Sequence, residues 1–218
     1  MSTIRQRGRN IAAVALGLAV AGCASLFTGE PKHLYRVTPK STFSSGLAHV
    51  SAQLLIDVPT AQAGLDSDRI ALTRSPVSLD YFADSQWTDR APLVVQTALL
   101  ESFENSRAVV AIDRESAALR ADFVLASELR HFEAEYPADP EAPPRVWVTL
   151  IVRLIKMPER EIIAQRTVTR QEPASANEIE PIVLAFDEAL GAAMKEVVIW
   201  TLSNPALTKK PSLPDKPQ

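Results

Sequence analysis

Cys23 carries the most reactive side chain here, and it is the only cysteine among 218 residues. A lone thiol forbids an internal disulfide. It leaves two uses: burial as a small apolar group, or nucleophilic chemistry through the thiolate. Its surroundings favour the second, because small Ala21 and Gly22 directly precede it in Leu-Ala-Val-Ala-Gly-Cys and open the backbone to a processing enzyme. The other candidates are scattered. His33, His49 and His131 stand alone, with no HExxH pair and no cysteine partner, so no zinc site is expected. After Cys23 the glycines are Gly29, Gly46, Gly64 and Gly191, and none has the spacing of a phosphate-cradling loop. No GxSxG elbow occurs; Ser44-Ser45 before Gly46 reads as a turn. Asp80, Asp84 and Asp89 cluster around Tyr81 and Trp87. As a calcium site or an acid–base pair they lack the spacing of an EF-hand loop. A solvated strand-to-helix connection, with Asp89 as helix N-cap, is the simpler reading. The expectation is no catalytic residue, no metal and no cofactor; an enzyme would need residues far apart in sequence.

The stretch before Cys23 explains the thiol. Arg5, Arg7 and Arg9 form a basic start with no acid, and Ile11 to Ala21 is apolar. Eleven helical residues reach only about half of a bilayer core. They read as the apolar region of a signal peptide rather than a transmembrane helix. The whole looks like a bacterial lipobox. Residues 1–22 would be removed, and Cys23 would carry diacylglycerol on sulfur and an acyl chain on its amine. Two or more chains hold stably, at about 0.8 kcal/mol per buried methylene. Loss of the leader leaves 20 basic and 26 acidic residues, a formal charge of −6. Such a body does not adsorb to anionic lipid by itself, so the anchor must hold it. Ala24 and Ser25 follow the cysteine, with no aspartate at the second position to retain the protein at the inner membrane. The expected location is the outer membrane, facing the periplasm.

The elements behind this anchor follow from hydrophobic period. Residues 23–33 read as a lipidated tether, 34–204 as the folded domain, and 205–218, with four prolines, as a disordered tail. Residues 48–58 alternate as a strand with one buried face, and 69–73 and 77–82 as two shorter ones. From 88 or 89 to about 105 the period becomes helical, with Pro92 in the first turn. Strands resume at 109–112 and 122–132. Residues 145–157 are apolar on both faces, which places that strand mid-sheet with layers above and below. Residues 162–171 are polar enough for an edge. A long helix closes the domain, from 177 or 180 to 202, with a stripe that reads Trp200 as core. The expected fold is a single three-layer α/β domain, a mixed β-sheet with helices on both faces.

Composition narrows the function classes. With 46% hydrophobic residues the chain can bury a core, and no run of about 18 apolar residues makes it a polytopic membrane protein. A net charge of −3 offers no basic field, so nucleic acid is not an expected partner.

Several loose apolar motifs recur in order. Leu34-Tyr35-Arg36-Val37 follows the lipid cysteine; Pro76-Val77-Ser78-Leu79-Asp80-Tyr81-Phe82 precedes Trp87; Pro92-Leu93 opens the helix; Ala121 to Leu125 runs into Leu129 to Glu133; a helix ends near Trp200. This order resembles the ABC-type transport auxiliary lipoproteins, the PqiC-like family. Two departures stand out: Val77-Ser78 occupy a position where many members carry asparagine, and the segment after Trp87 is less acidic. The resemblance implies a non-enzymatic auxiliary component of an MCE-type lipid transport system. Its implied partners are an MCE-domain periplasmic protein and the ABC permease and ATPase, with phospholipid and a homo-oligomer left open. It would dock that assembly to the outer membrane, or hand lipid across. Tyr81, Phe82 and Trp87 are candidate partner-binding residues, although alternation with Val77 and Leu79 equally suits core positions. The other reading is a lipoprotein that regulates or scaffolds another envelope machine, such as a peptidoglycan synthase.

Overall fold

The computed structural model describes residues 32–43, 46–114, 121–139 and 141–208. Cys23 with its leader and the tether up to residue 31, Ser44-Ser45 and residues 209–218 lie outside them, whereas His33, at the end of the expected tether, is in a strand. The chain divides into Met1–His33, of which only Lys32 and His33 are described, and Leu34–Gln218, which holds the folded body.

In chain order the described elements are β1 (His33–Tyr35), β2 (Val50–Ile56), β3 (Thr60–Ala61), β4 (Arg69–Thr73), β5 (Asp80–Trp87), α1 (Ala91–Ser106), β6 (Val109–Arg114), β7 (Phe123–Glu135), β8 (Arg145–Lys156), β9 (Glu161–Pro173), α2 (Ile179–Leu202) and α3 (Pro205–Thr208). The strands form one mixed sheet organised around β7. Along one edge of β7 three strands follow end to end, all parallel to it. Leu54–Ile56 faces Phe123–Leu125, Thr60–Ala61 faces Glu128–Leu129, and Ala71–Thr73 faces Glu133–Glu135. Along the other edge β8 runs antiparallel over the full length, from Phe123↔Lys156 to Glu135↔Arg145. β9 continues outward from β8, β6 lies beside β2, and β5 then β1 lie beyond β4.

The α/β class and the mixed sheet agree with the sequence, whereas the placement of the helices differs from expectation. α1 and α2 pack on each other: Ser102 Oγ lies 3.4 Å from Met194 Sδ, and both residues are fully buried. They share one core cluster with the inward side chains of the sheet. In β8 those are Val146, Val148, Leu150, Val152 and Leu154, all at 0% exposure. The opposite face of β8 is covered by neighbouring strand side chains instead, among them His131 stacked on Trp147. The two long helices therefore form one layer on one face.

Helix ends also move. Arg90, not Asp89, is the N-cap of α1, and it makes no side-chain cap. Its carbonyl accepts from Leu93 and Val94, while Ala91 N–H donates to Ser67 O, so backbone partners replace the cap. Pro92 takes the first turn, where its missing N–H costs nothing. Beyond α2 the packed chain runs past 204, because Pro205–Thr208 forms a helical turn with Leu207 at 1% exposure. The rest of the expected tail, residues 209–218, lies outside the described residues. At the N-terminal side Thr38 is tied to α2, its Oγ1 donating to Asp187 Oδ2 at 2.9 Å.

Candidate functional site

The three aromatic residues singled out from the sequence go to different places. Trp87 is 1% exposed, with Phe132 at 5.3 Å and Phe186 at 5.2 Å between ring centroids, and Phe132 to Phe186 is 4.9 Å. Such offset and edge contacts add about 0.5–1.5 kcal/mol per pair beyond burial. Trp87 belongs to the core and presents no surface to a partner. Tyr81 is half-buried; its hydroxyl donates to Gly64 O at 2.9 Å and the Arg69 guanidinium lies 3.5 Å over its ring. Phe82 is half-buried beside Tyr136, 6.4 Å between centroids. Both brace the wall of a cleft rather than line it.

That cleft, about 640 Å³, opens on the sheet face away from the helices, between the β4–β5 turn and the C-terminal half of β7. Its floor follows from strand alternation. His131 and Glu133 are two apart on β7 and share a face, and the antiparallel register sets Trp147 opposite Glu133. The His131 ring stacks on Trp147 at 3.8 Å and 4°. His131 Nδ1 is 2.7 Å from Glu133 Oε1, and the other carboxylate oxygen accepts from Phe132 N–H at 2.6 Å. Trp147 Nε1 donates to Thr149 Oγ1 at 3.0 Å, which is 3.0 Å from Thr169 Oγ1. The Glu133 carboxylate, His131 Nδ1 and Trp147 Nε1 thus have partners, while two flat rings stay half-buried and accessible.

The side wall is Tyr136. Arg74 lies 4.3 Å over its ring, and its hydroxyl donates to Asn177 Oδ1 at 2.7 Å. Burial raises the phenol above its ordinary range, and Arg74 pulls the other way. Further along the same face Glu128 is held below the usual carboxylate range, chiefly by its hydrogen bond from Arg130, with burial opposing and Arg153 adding to the pull. The rim is the turn after β4. Thr73 Oγ1 donates to Ser75 O and Ser78 O, and Ser75 Oγ to Ser78 Oγ, so side-chain hydrogen bonds close the turn. It raises Val77 to 96% exposure and Leu79 to 39%. Gly64 lies close opposite: a Cβ there would stand 2.5 Å from Leu79 Cδ2, so the Leu79 side chain would have to turn aside.

This arrangement suits binding. Oriented imidazole is present, yet the rim serines hydrogen-bond each other and the turn's carbonyls rather than His131. An exposed apolar tip, two stacked rings and mixed charge are the kinds of groups that protein-binding surfaces present. In the sequence His131 stood isolated. His-x-Glu within an alternating strand was the available signal, whereas Trp147 comes beside it only through the β7–β8 register. The three clustered aspartates include Asp84 at φ 53°, inside β5, where the register against β4 jumps. Among the described residues no group of three or more His, Cys, Asp or Glu is arranged to hold a metal.

Residues 34–198 match the family described as ABC-type transport auxiliary lipoprotein component. A curated protein of Bradyrhizobium diazoefficiens is 34% identical over 154 residues; the match covers 70% of this chain and 40% of that protein, so the chain spans well under half of its length. A crystal structure from Xanthomonas campestris superposes with a TM-score of 0.72 at 29% identity, covering 78% of this chain and 94% of that one. A second crystal structure, at TM-score 0.57 and 14% identity, covers 78% and 97% and shares the fold.

Proposed function

Since the chain belongs to the family of ABC-type transport auxiliary lipoprotein components, we propose that it is a non-enzymatic docking subunit of an MCE-type lipid transport system. Acyl chains on Cys23 would hold it at the outer membrane, facing the periplasm. The observation that carries the reading is the family match across nearly the whole folded body, residues 34–198. The cleft adds a place for contact: the transport partner meets Val77, Leu79 and the His131–Trp147 floor. Docking is favoured over carrying lipid inside the domain, because the space between α2 and the sheet is filled by Trp87, Phe132 and Phe186.

The test is copurification of the full-length lipoprotein from its native envelope, with mass spectrometry of what accompanies it. Recovery of an MCE-domain protein with its permease and ATPase is the expected result. Recovery of a cell-wall synthase instead would sink the proposal. Anchoring is checked separately. The Cys23→Ala protein is expected to fold and to leave the membrane fraction after a salt wash, and pelleting as before would refute the acyl anchor.

A further inference from the structure

A second surface lies on the opposite side of the sheet, where β9 meets α2. β9 pairs with β8 only, so among the described residues its outer edge of thirteen residues has no strand beside it. An open edge is a template for another strand. Next to it, the C-terminal half of α2 turns out a stripe spaced three and four residues apart: Ala192, Lys195, Glu196, Ile199, Trp200 and Ser203. The outward stripe of a surface helix is ordinarily charged. Here it offers Ile199 and Trp200, both half-buried; Trp200 packs against the core, as the helical period implied, and also lines the groove. Between helix and strand runs a groove of about 520 Å³, within the range that takes a ligand or a few side chains.

The charge of the groove differs from that of the chain. Glu196 accepts from Arg166 Nε at 2.7 Å and from Arg170 Nη2. One carboxylate against two guanidiniums leaves positive charge over, and Lys195 adds to it. The chain as a whole is at −3.

The geometry points to a docking site for an extended acidic segment of a partner protein, a deepening that rests on the partner-binding reading above. The segment adds a strand to the outer edge of β9. Its main chain satisfies the edge N–H and C=O groups, and its alternate side chains face the groove, where apolar ones lie on Ile199 and Trp200. An aspartate or glutamate on the same face meets Arg166, Arg170 and Lys195. A helix in the groove would leave the edge unused, and a basic segment would meet like charge.

The test places a photoreactive benzoylphenylalanine at Ile199, and separately at Val77, in the full-length lipoprotein in its native envelope. Crosslinked peptides are sequenced. The segment caught at Ile199 is then synthesised and added to the purified protein while amide exchange is followed. The expected capture is a segment of another protein with alternating apolar residues and at least one acid. As a peptide it slows exchange in Glu161–Pro173 about tenfold or more. Lys195→Glu, which breaks no ion pair among the described residues, weakens that peptide about tenfold, and Arg166→Glu, which also breaks the pair with Glu196, weakens it at least as much. Capture of a second copy of this chain, of lipid, or of a segment that leaves β9 exchange unchanged overturns the strand site. So does silence at Ile199 while Val77 traps a transport subunit, and that outcome leaves the docking function standing. Capture of no other protein at either position removes both.

Discussion

The two faces of β8 are built from one alternating sequence and do different work. Toward the helices stand Val146, Val148, Leu150, Val152 and Leu154, none with measurable exposure. Away from them stand Trp147, Thr149, Ile151, Arg153 and Ile155, of which Thr149 and Ile151 retain 5% and the others are half-exposed. The first face is closed by helices, with no polar atom in those five side chains. The second is closed by its neighbours: a His131–Trp147 stack, a Thr149–Thr169 pair, and Arg153 Nε donating to Gln165 Oε1 at 2.9 Å. Deep apolar packing gives stability that single deletions damage severely, whereas a laterally satisfied polar face can be read by a partner. One strand supplies the core with one set of residues and, with the other, the face proposed for docking.

The strongest attempt to break this contrast is Phe186→Ala. It removes the ring that touches both Trp87 and Phe132, and is expected to cost about 3–5 kcal/mol in urea unfolding. A paired test on β8 is sharper. Leu150→Ala should cost about 2–5 kcal/mol, and Ile151→Ala, its neighbour on the open face, clearly less because long side chains there can relax. Equal losses would mean the open face is as rigidly packed as the closed one. Trp147→Ala is expected to cost about 1–2 kcal/mol, from the lost stack and the lost bond to Thr149.

A pH test separates the helix side from the open side. Burial raises the Glu196 carboxyl, but hydrogen bonds from Arg166 and Arg170 outweigh it, so its folded pKa lies below the usual value. A depressed carboxylate adds stability that is fully present above the unfolded pKa and disappears as pH falls through the folded one. Glu196→Gln is therefore expected to be less stable than the parent at pH 7, with the gap closing below about pH 4.5 as the parent loses its contribution. A gap that persists undiminished at acid pH would show the effect is not ionic. Smallest of all, Val77→Ser should move stability by no more than about 0.5 kcal/mol, since the side chain touches mostly water.

Much of the architecture was legible because it is periodic. β4 falls where alternation placed it, and β8, β9 and α2 lie within a residue or two of their expected ends. What failed to show had tertiary causes. β3 is only Thr60–Ala61, too short for any period, and exists because it pairs with Glu128–Leu129. The strand expected at 77–82 begins at Asp80 and runs on to Trp87, since hydrogen bonds from Thr73 close 75–78 into a turn and Asp84 adopts a left-handed backbone within the strand. Two apolar faces on β8 suggested a layer on each side; the sequence pattern does not tell a covering helix from covering side chains. The cleft was hidden for the same reason, because His131, Trp147 and Tyr136 come together through register. Tyr81 and Phe82 marked its neighbourhood, and Trp87 marked the core behind it.

The central claim is that the open face docks a transport partner. The direct measurement is recovery of transport subunits with the Val77→Asp lipoprotein purified from its native envelope, alongside its urea unfolding midpoint. The account predicts an unchanged midpoint, because Val77 is 96% exposed, and recovery reduced about tenfold by a charge placed on the apolar rim. Undiminished recovery of the same subunits by the folded variant would contradict it.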